Sequence, residues 1–334
     1  MFGLLVSAAG GALCAYLHTP LPWMIGPLVG MALLNFSGAR LMAPPLGRES
    51  GQLLIAITLG LYFTPTVARE VAGHAGLLVA AAFLSIGVGY AASRVLIRFA
   101  GVDEPTAFFA SVPGGAAEMA TLGERFGAAV EKVAVAHSLR ITLVVCTIPV
   151  LLTVLDLHGG DIYRPVKIPF SGWGLTSLIC IAIFGGAIFR RANFPNPWMM
   201  GPLVATMLVT ASGVELSSML TPLTNVGQVL LGCALGSRFS RAFLRDAPRF
   251  VMIVVASIFL MMLLSTVIAI AMGTITGTFV PSMVLAMAPG GIAEMSITAR
   301  MLQLGVAIVT AAHVTRVLII VALTQRIYRW LQSR

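Results

Sequence analysis

Charge is scarce in this sequence. Only 10% of its 334 residues are Asp, Glu, Lys or Arg, where a soluble domain carries about 25% to cover its surface. A soluble fold for the whole chain is therefore excluded. Cysteine is also scarce: Cys14, Cys146, Cys180 and Cys233 all sit inside apolar runs, with no CxxC spacing. That reads as small buried hydrophobes and argues against a disulfide framework or a zinc site. No GxxxxGK[ST] loop occurs, so the chain has no nucleotide-hydrolysing motif of its own. HxxxH and ExxH spacings do not join its histidines to its carboxylates, which leaves a metal centre without a motif and predicts no cofactor. The net charge of +9 is spread over short loops, as in the cytoplasmic loops of membrane proteins. It does not form a basic patch, so nucleic acid is not an expected partner.

What fills the chain is apolar: 58% hydrophobic residues and a mean hydropathy of +0.97. Runs near spanning length recur at Phe2–Leu17, Gln52–Val67, Leu77–Phe99, Ile141–Leu155, Leu175–Phe189, Phe250–Met272 and Gly305–Leu323. Helices of about 17–25 apolar residues cross the hydrocarbon core, whereas barrel strands would alternate over about ten residues. These runs do not alternate. The fold class is an all-α polytopic membrane protein whose first partner is the lipid bilayer. The N-terminus lacks a charged n-region and an A-x-A cleavage site, so it reads as a first membrane helix and not as a signal peptide.

The chain also repeats itself. "PWMIGPLVGMALLNFSG" (22–38) matches "PWMMGPLVATMLVTASG" (197–213), and "GQLLIAITLG" (51–60) matches "GQVLLGCALG" (227–236). "VPGGAAEM" (112–119) matches "APGGIAEM" (288–295), and "AHSLR" (136–140) matches "AHVTR" (312–316). Four blocks in one order define two homologous halves, 1–155 and 172–334, joined by a polar linker at 156–171.

Positive charge predicts how the halves are oriented. In the second half it gathers at Arg190/Arg191, at Arg238/Arg241/Arg245/Arg249 and at Arg326/Arg329/Arg334; in the first, at Arg40/Arg48, Arg94/Arg98 and Arg125/Lys132. Arg94/Arg98 close a span whose counterpart, 272–279, is uncharged. Such a swap is expected of inverted repeats. One threading satisfies every cluster: about ten membrane helices, both termini cytoplasmic, and in each half a PGG segment that is re-entrant or broken.

The chemistry concentrates in the duplicated motifs. Pro113-Gly114-Gly115 and Pro289-Gly290-Gly291 interrupt apolar segments, and the glycines permit either φ > 0 or a close backbone approach. Irregular backbone at membrane depth is tolerated only against protein or a wet cavity, and secondary transporters use it to coordinate solutes and ions. Glu118 and Glu294 fall one turn into the helix that restarts, near its positive end. A plain interfacial turn is the alternative. His137/Arg140 and His313/Arg316 are three apart, so each pair shares a helix face. At that depth an arginine needs an acid, an anion or the bundle interior. Either it clamps the glutamate structurally, or it binds an anionic group while His or Glu carries a coupled proton. Trp23 and Trp198, in the PWM blocks, read first as scaffold and second as cavity lining. Gln52 and Gln228 are placed near a helix start, for cavity hydrogen bonding or capping.

The paired "PWMxGP", "GQ…LG" and "PGGxAEM…AH" blocks resemble the bacterial AbrB-type membrane family, over nearly the whole chain. That resemblance implies a duplicated membrane domain, and labels of ammonia monooxygenase or regulator of gene expression accompany it. It is distinct from the small soluble DNA-binding regulators that share the name. The residues favour a secondary transporter, in the bacterial inner membrane, of a small polar or anionic solute coupled to an ion or proton. The alternative is a membrane-embedded regulator acting through a partner or through a transported solute. An enzyme is not expected. Whether the protein forms a homo-oligomer is left open by the sequence.

Overall fold

The computed structural model describes residues 2–159, 168–239 and 247–332. Most of the linker, together with Arg241, Arg245 and Arg334, lies outside the described residues. The first half holds α1 (Phe2–Tyr16), α2 (Pro22–Phe36), α3 (Gly47–Gly60), α4 (Pro65–Gly73), α5 (Ala75–Val95) with a π turn at Leu96–Ala100, α6 (Glu104–Ser111), α7 (Ala116–Glu124) and α8 (Val130–Val154). The second holds α9 (Gly172–Arg191), α10 (Pro197–Ala211), α11 (Thr221–Gly236), α12 (Pro248–Thr276), α13 (Val280–Met287), α14 (Ile292–Met301) and α15 (Val306–Gln332). No strand occurs among the described residues.

Local sequence sets the boundaries. Prolines open α2, α10, α11, α12 and α13 at their first or second position, where the missing N–H costs nothing. Gly101 and Gly277 close the long helices of each half at φ 64° and 70°, the left-handed geometry that a C-terminal glycine supplies. Thr64-Pro65 ends α3's direction, because the residue before proline avoids the helical region. There α3 and α4 bend by 91°, so the apolar run Gln52–Val67 is not one straight span.

Among the described residues five helices are long and apolar enough to cross a membrane: α5 with its π turn, α8, α9, α12 and α15, or six if α3 and α4 form one bent span. On α12 the buried face carries Val254, Ile258, Met261 and Ala269, and the exposed face carries Met252, Leu263, Val267 and Ile270. A helix apolar on its exposed face has lipid as its solvent. The chain is a helical membrane protein. At 15 residues each, α1, α2 and α10 reach about 22 Å at 1.5 Å per residue.

Contacts of the first half recur in the second. Gly10 meets the Gly26 carbonyl at the α1–α2 crossing and Gly11 lies under Trp23; Gly185 meets the Gly201 carbonyl and Gly186 lies under Trp198. Both tryptophans are scaffold in this sense, each filling the space that a glycine leaves. The caps repeat too: Leu21 and Asn196 are left-handed at φ 49° and 50°.

The halves are not separate in space. One compact unit takes Met1–Gly73, Ile148–Ala242 and Ser296–Ala307; the other takes His74–Thr147, Phe243–Met295 and Ile308–Arg334. The first unit thus combines α1–α4 with α9–α11, and the second combines α5–α7 and most of α8 with α12, α13 and most of α15. Within the first unit α2 packs on α11, α10 on α3, and α3 on α11, a pattern unchanged when the halves are exchanged. Gly51 and Gly227, equivalent residues, touch each other. Around them Gly51 meets Leu230 and Leu231, Gly227 meets Leu54 and Ile55, and Thr58 bonds Thr224 at 3.2 Å. As one residue number climbs the other falls, so α3 and α11 run antiparallel.

Candidate functional site

In the second unit the first PGG segment is the tip of a helical hairpin. Asp103 caps α6 by accepting from the Thr106 N–H at 3.1 Å, and α6 runs eight residues to the break. The chain then doubles back. Gly123 of α7 packs on Phe109, the Phe109 and Phe126 rings stack with centroids 5.6 Å apart, and the Ala129 N–H donates to Thr106 Oγ1 at 2.8 Å. At the tip Gly115 has φ −70°, and none of Gly114, Gly115, Gly290 and Gly291 has positive φ. Their role is close approach: a Cβ on Gly114 would lie 2.8 Å from Met119, and one on Gly115 would overlap the Glu118 carboxylate. Gly290 and Gly291 stand in the same relation to Met295 and Glu294.

A helix that ends within a membrane unit leaves its last carbonyls without partners. The H-x-x-R pair of α8 supplies them. His137 Nε2 donates to the Phe109 carbonyl at 2.8 Å, and Arg140 donates to the carbonyls of Val112 at 3.2 Å and Gly114 at 3.1 Å. Arg140 also donates to His137 Nδ1 at 2.9 Å. The second copy repeats every bond: His313 to Leu285 at 2.9 Å, and Arg316 to Ala288 at 2.7 Å, to Gly290 at 2.6 Å and to His313 Nδ1 at 2.6 Å. All four side chains are buried. A carbonyl only accepts and a guanidinium only donates. Each imidazole is therefore fixed as its Nε2–H form, with neither nitrogen left for a metal.

The arginines thus grip the break through its backbone, where the sequence suggested a glutamate or an anion. A cation at the end of α6 also meets the negative end of that helix. Nε of Arg140 and of Arg316 is buried without a hydrogen-bond partner, as is Oγ of Ser111, the last residue of α6. Glu118 and Glu294 each occupy the third position of the helix after the break and fold back over Gly115 and Gly291. That is the placement of a capping-box carboxylate. The two sites are close: Val144, one turn beyond Arg140, lies 3.0 Å from a Cβ built on Gly290.

Burial separates the two copies. Glu294 is buried, with Ile292 and Ala293 beside it; Glu118 and Ala116 are half-buried and Ala117 is exposed. Among the described residues no three His, Cys, Asp or Glu side chains cluster as metal ligands.

The description "Transition state regulatory protein AbrB" matches residues 23–332. The chain belongs to the AbrB family. Among curated relatives, "Uncharacterized protein YhjN" of Bacillus subtilis is 29% identical over 98% of this chain and 91% of its own length. "Putative regulator AbrB" of Escherichia coli is 21% identical over 95% of this chain and 91% of its own. No solved structure matches.

Gln52 and Gln228 belong to the other compact unit, as do Trp23 and Trp198. The two glutamines lie mid-helix in α3 and α11, so the expectation that they stand at a helix start is corrected and capping is not their role. Gln52 instead donates to Asn196 Oδ1 at 2.7 Å, at the left-handed cap of α10. Gly10, Gly11, Ser111 and Asn196 were not singled out from the sequence. The first two repeat at the same offset as the PWM blocks, which was a usable signal.

Proposed function

We propose that this protein is a secondary transporter of the bacterial inner membrane, with inverted repeats, ten crossings and two re-entrant hairpins, both termini cytoplasmic. The observation that carries this reading is the pair of hairpins. They share one hydrogen-bond scheme and lie close within one unit, yet Glu118 is half-buried and Glu294 buried. A carrier that exposes a site to one side at a time needs two such equivalent, oppositely accessible elements. The antiparallel run of α3 and α11 supports the inversion.

The solute is a small polar or anionic molecule, moved with a proton or another ion. Because both nitrogens of His137 and His313 are engaged, a coupled proton falls to Glu118 and Glu294. Purified protein in proteoliposomes, offered a panel of solutes across a pH gradient, should show uptake that Glu118→Gln and Glu294→Gln alter. Uptake and pH dependence unchanged in both variants would reject the site. Reporter fusions after Arg98 and within 273–278 should report opposite sides of the membrane, and the same side would reject the inversion.

The name of the Escherichia coli relative favours a second reading, regulation of gene expression. For this chain that would act through a partner or through the transported solute. Direct regulation requires that expression changes survive substitutions that abolish uptake. A metal-dependent monooxygenase would bring stoichiometric copper or iron with the purified protein, which metal analysis measures.

A further inference from the structure

The first hairpin tip gathers unmet donors around an acceptor that belongs to the protein itself. α7 is nine residues long, and its opening N–H groups and dipole favour an anion. The Arg140 guanidinium is held to Gly114, one residue before the α7 cap, with Nε unpartnered and the side chain 3% exposed. Ser111 Oγ, also unpartnered, ends α6. Glu118 lays its carboxylate over Gly115, where an incoming anion would meet the helix.

Building on the carrier reading above, we propose that this tip binds the carboxylate of a small organic anion and that Glu118 is its built-in competitor. Glu118, ionised, fills the place. When it takes up a proton its charge is gone, the α7 start is released to the solute, and one proton enters with each anion. Coupling then follows from two carboxylates contending for one set of donors, because both cannot be accommodated as anions. Glu294, sealed against Gly291, is the same competitor in its occupied and inaccessible state.

The charged group bound to the tip beside Glu118 is Arg140, held on Gly114 with His137 bonded to it; Arg316 and His313 hold the neighbouring tip in the same way. Glu104, Glu124 and Arg300 lie towards the far ends of their helices, roughly 10–12 Å of helix away from the breaks, and Arg94 comes later in α5 than Gly89, the residue that packs on Val112 and Pro113. His137 and His313 cannot supply the pH response without losing their arginine bonds.

The test is equilibrium binding to the full-length protein in detergent, with acetate, lactate and succinate as probes and chloride and acetamide as comparisons. Wild-type affinity for the carboxylates should rise as pH falls, approaching tenfold per unit for one linked proton. Glu118→Gln keeps the capping shape without charge, so it should bind at least about tenfold tighter than wild type near pH 8 and lose the pH slope. Glu118→Asp keeps the charge on a shorter stem and should keep the slope, which guards against a glutamine variant that fails to fold. Arg140→Lys should weaken binding in every background. Equal or weaker carboxylate binding by Glu118→Gln, or a retained slope, overturns the proposal and leaves Glu118 a helix cap. Carboxylate binding without proteoliposome uptake would reject the carrier and spare this site. Uptake of a neutral or cationic solute without carboxylate binding would reject this site and spare the carrier.

Discussion

The two hairpins use the same hydrogen bonds and differ in what surrounds them. Arg140 and Arg316 reach back the same number of residues to the same kinds of carbonyl, and His137 and His313 do likewise. Yet Ile292, Ala293 and Glu294 of the second tip are buried where Ala116, Ala117 and Glu118 of the first are not, and its arginine bonds are shorter, 2.7 and 2.6 Å against 3.2 and 3.1 Å. The first hairpin alone is pinned by an aromatic cluster, in which Tyr328 sits 4.9 Å from Phe108, 5.0 Å from Phe109 and 5.0 Å from Phe126. Backbone satisfaction is thus the invariant part of the motif, and access is the variable part. A duplicated sequence can specify one scaffold twice while the packing around each copy decides which is open.

Removing an arginine that grips a hairpin should have the largest effect. Arg316→Ala strands two buried carbonyls and the acceptor nitrogen of His313, a loss of about 3–5 kcal/mol by analogy with breaking a buried charge pair. Arg140→Ala should cost less, because its tip borders solvent. Thermal unfolding in detergent measures both, and equal losses would show that the longer bonds of the first copy are no weaker.

Gly291→Ala should cost about 1–3 kcal/mol, since its methyl group collides with a carboxylate that has no room to move. Gly115→Ala should cost less, because half-buried Glu118 can swing aside. A larger loss at Gly115 would reverse the assignment of open and closed copies. Access itself is read by thiol labelling in a background lacking Cys14, Cys146, Cys180 and Cys233. Cysteine at Ala117 should react at least about tenfold faster than cysteine at Ala293, since reactivity follows exposure. Least affected should be Tyr328→Leu, which keeps an apolar side chain and loosens only the first hairpin, by about 1 kcal/mol.

Much of this was legible in advance because the strongest constraints were local or repeated. Apolar run length announced the membrane, and the offset blocks announced the duplication. The PGG-to-AH spacing announced a break with a helix beside it. The partner of each arginine was not legible. Sequence offers only side chains as candidates, so Glu118 and Glu294 stood out, whereas Val112 and Gly114 accept through backbone carbonyls that every residue possesses. The bend after Gly60 was carried by a single proline inside an otherwise apolar run. The Gly51–Gly227 contact depends on which helices meet, and neither apolar period nor composition encodes that.

Interleaving also governs how the chain is made. In the first unit α2 packs on α11 as well as on α1, and α3 on α10 and α11; in the second α5 packs on α12 as well as on α6. The ribosome must therefore deliver well over half of the protein before either unit can close. Until then the α3 faces that carry Gly51 and Gly60 lack the α11 and α10 surfaces that they pack on. An insertase or chaperone that shelters those faces, and the sensitivity of expression to pauses between α8 and α9, are matters that follow from this one arrangement of contacts.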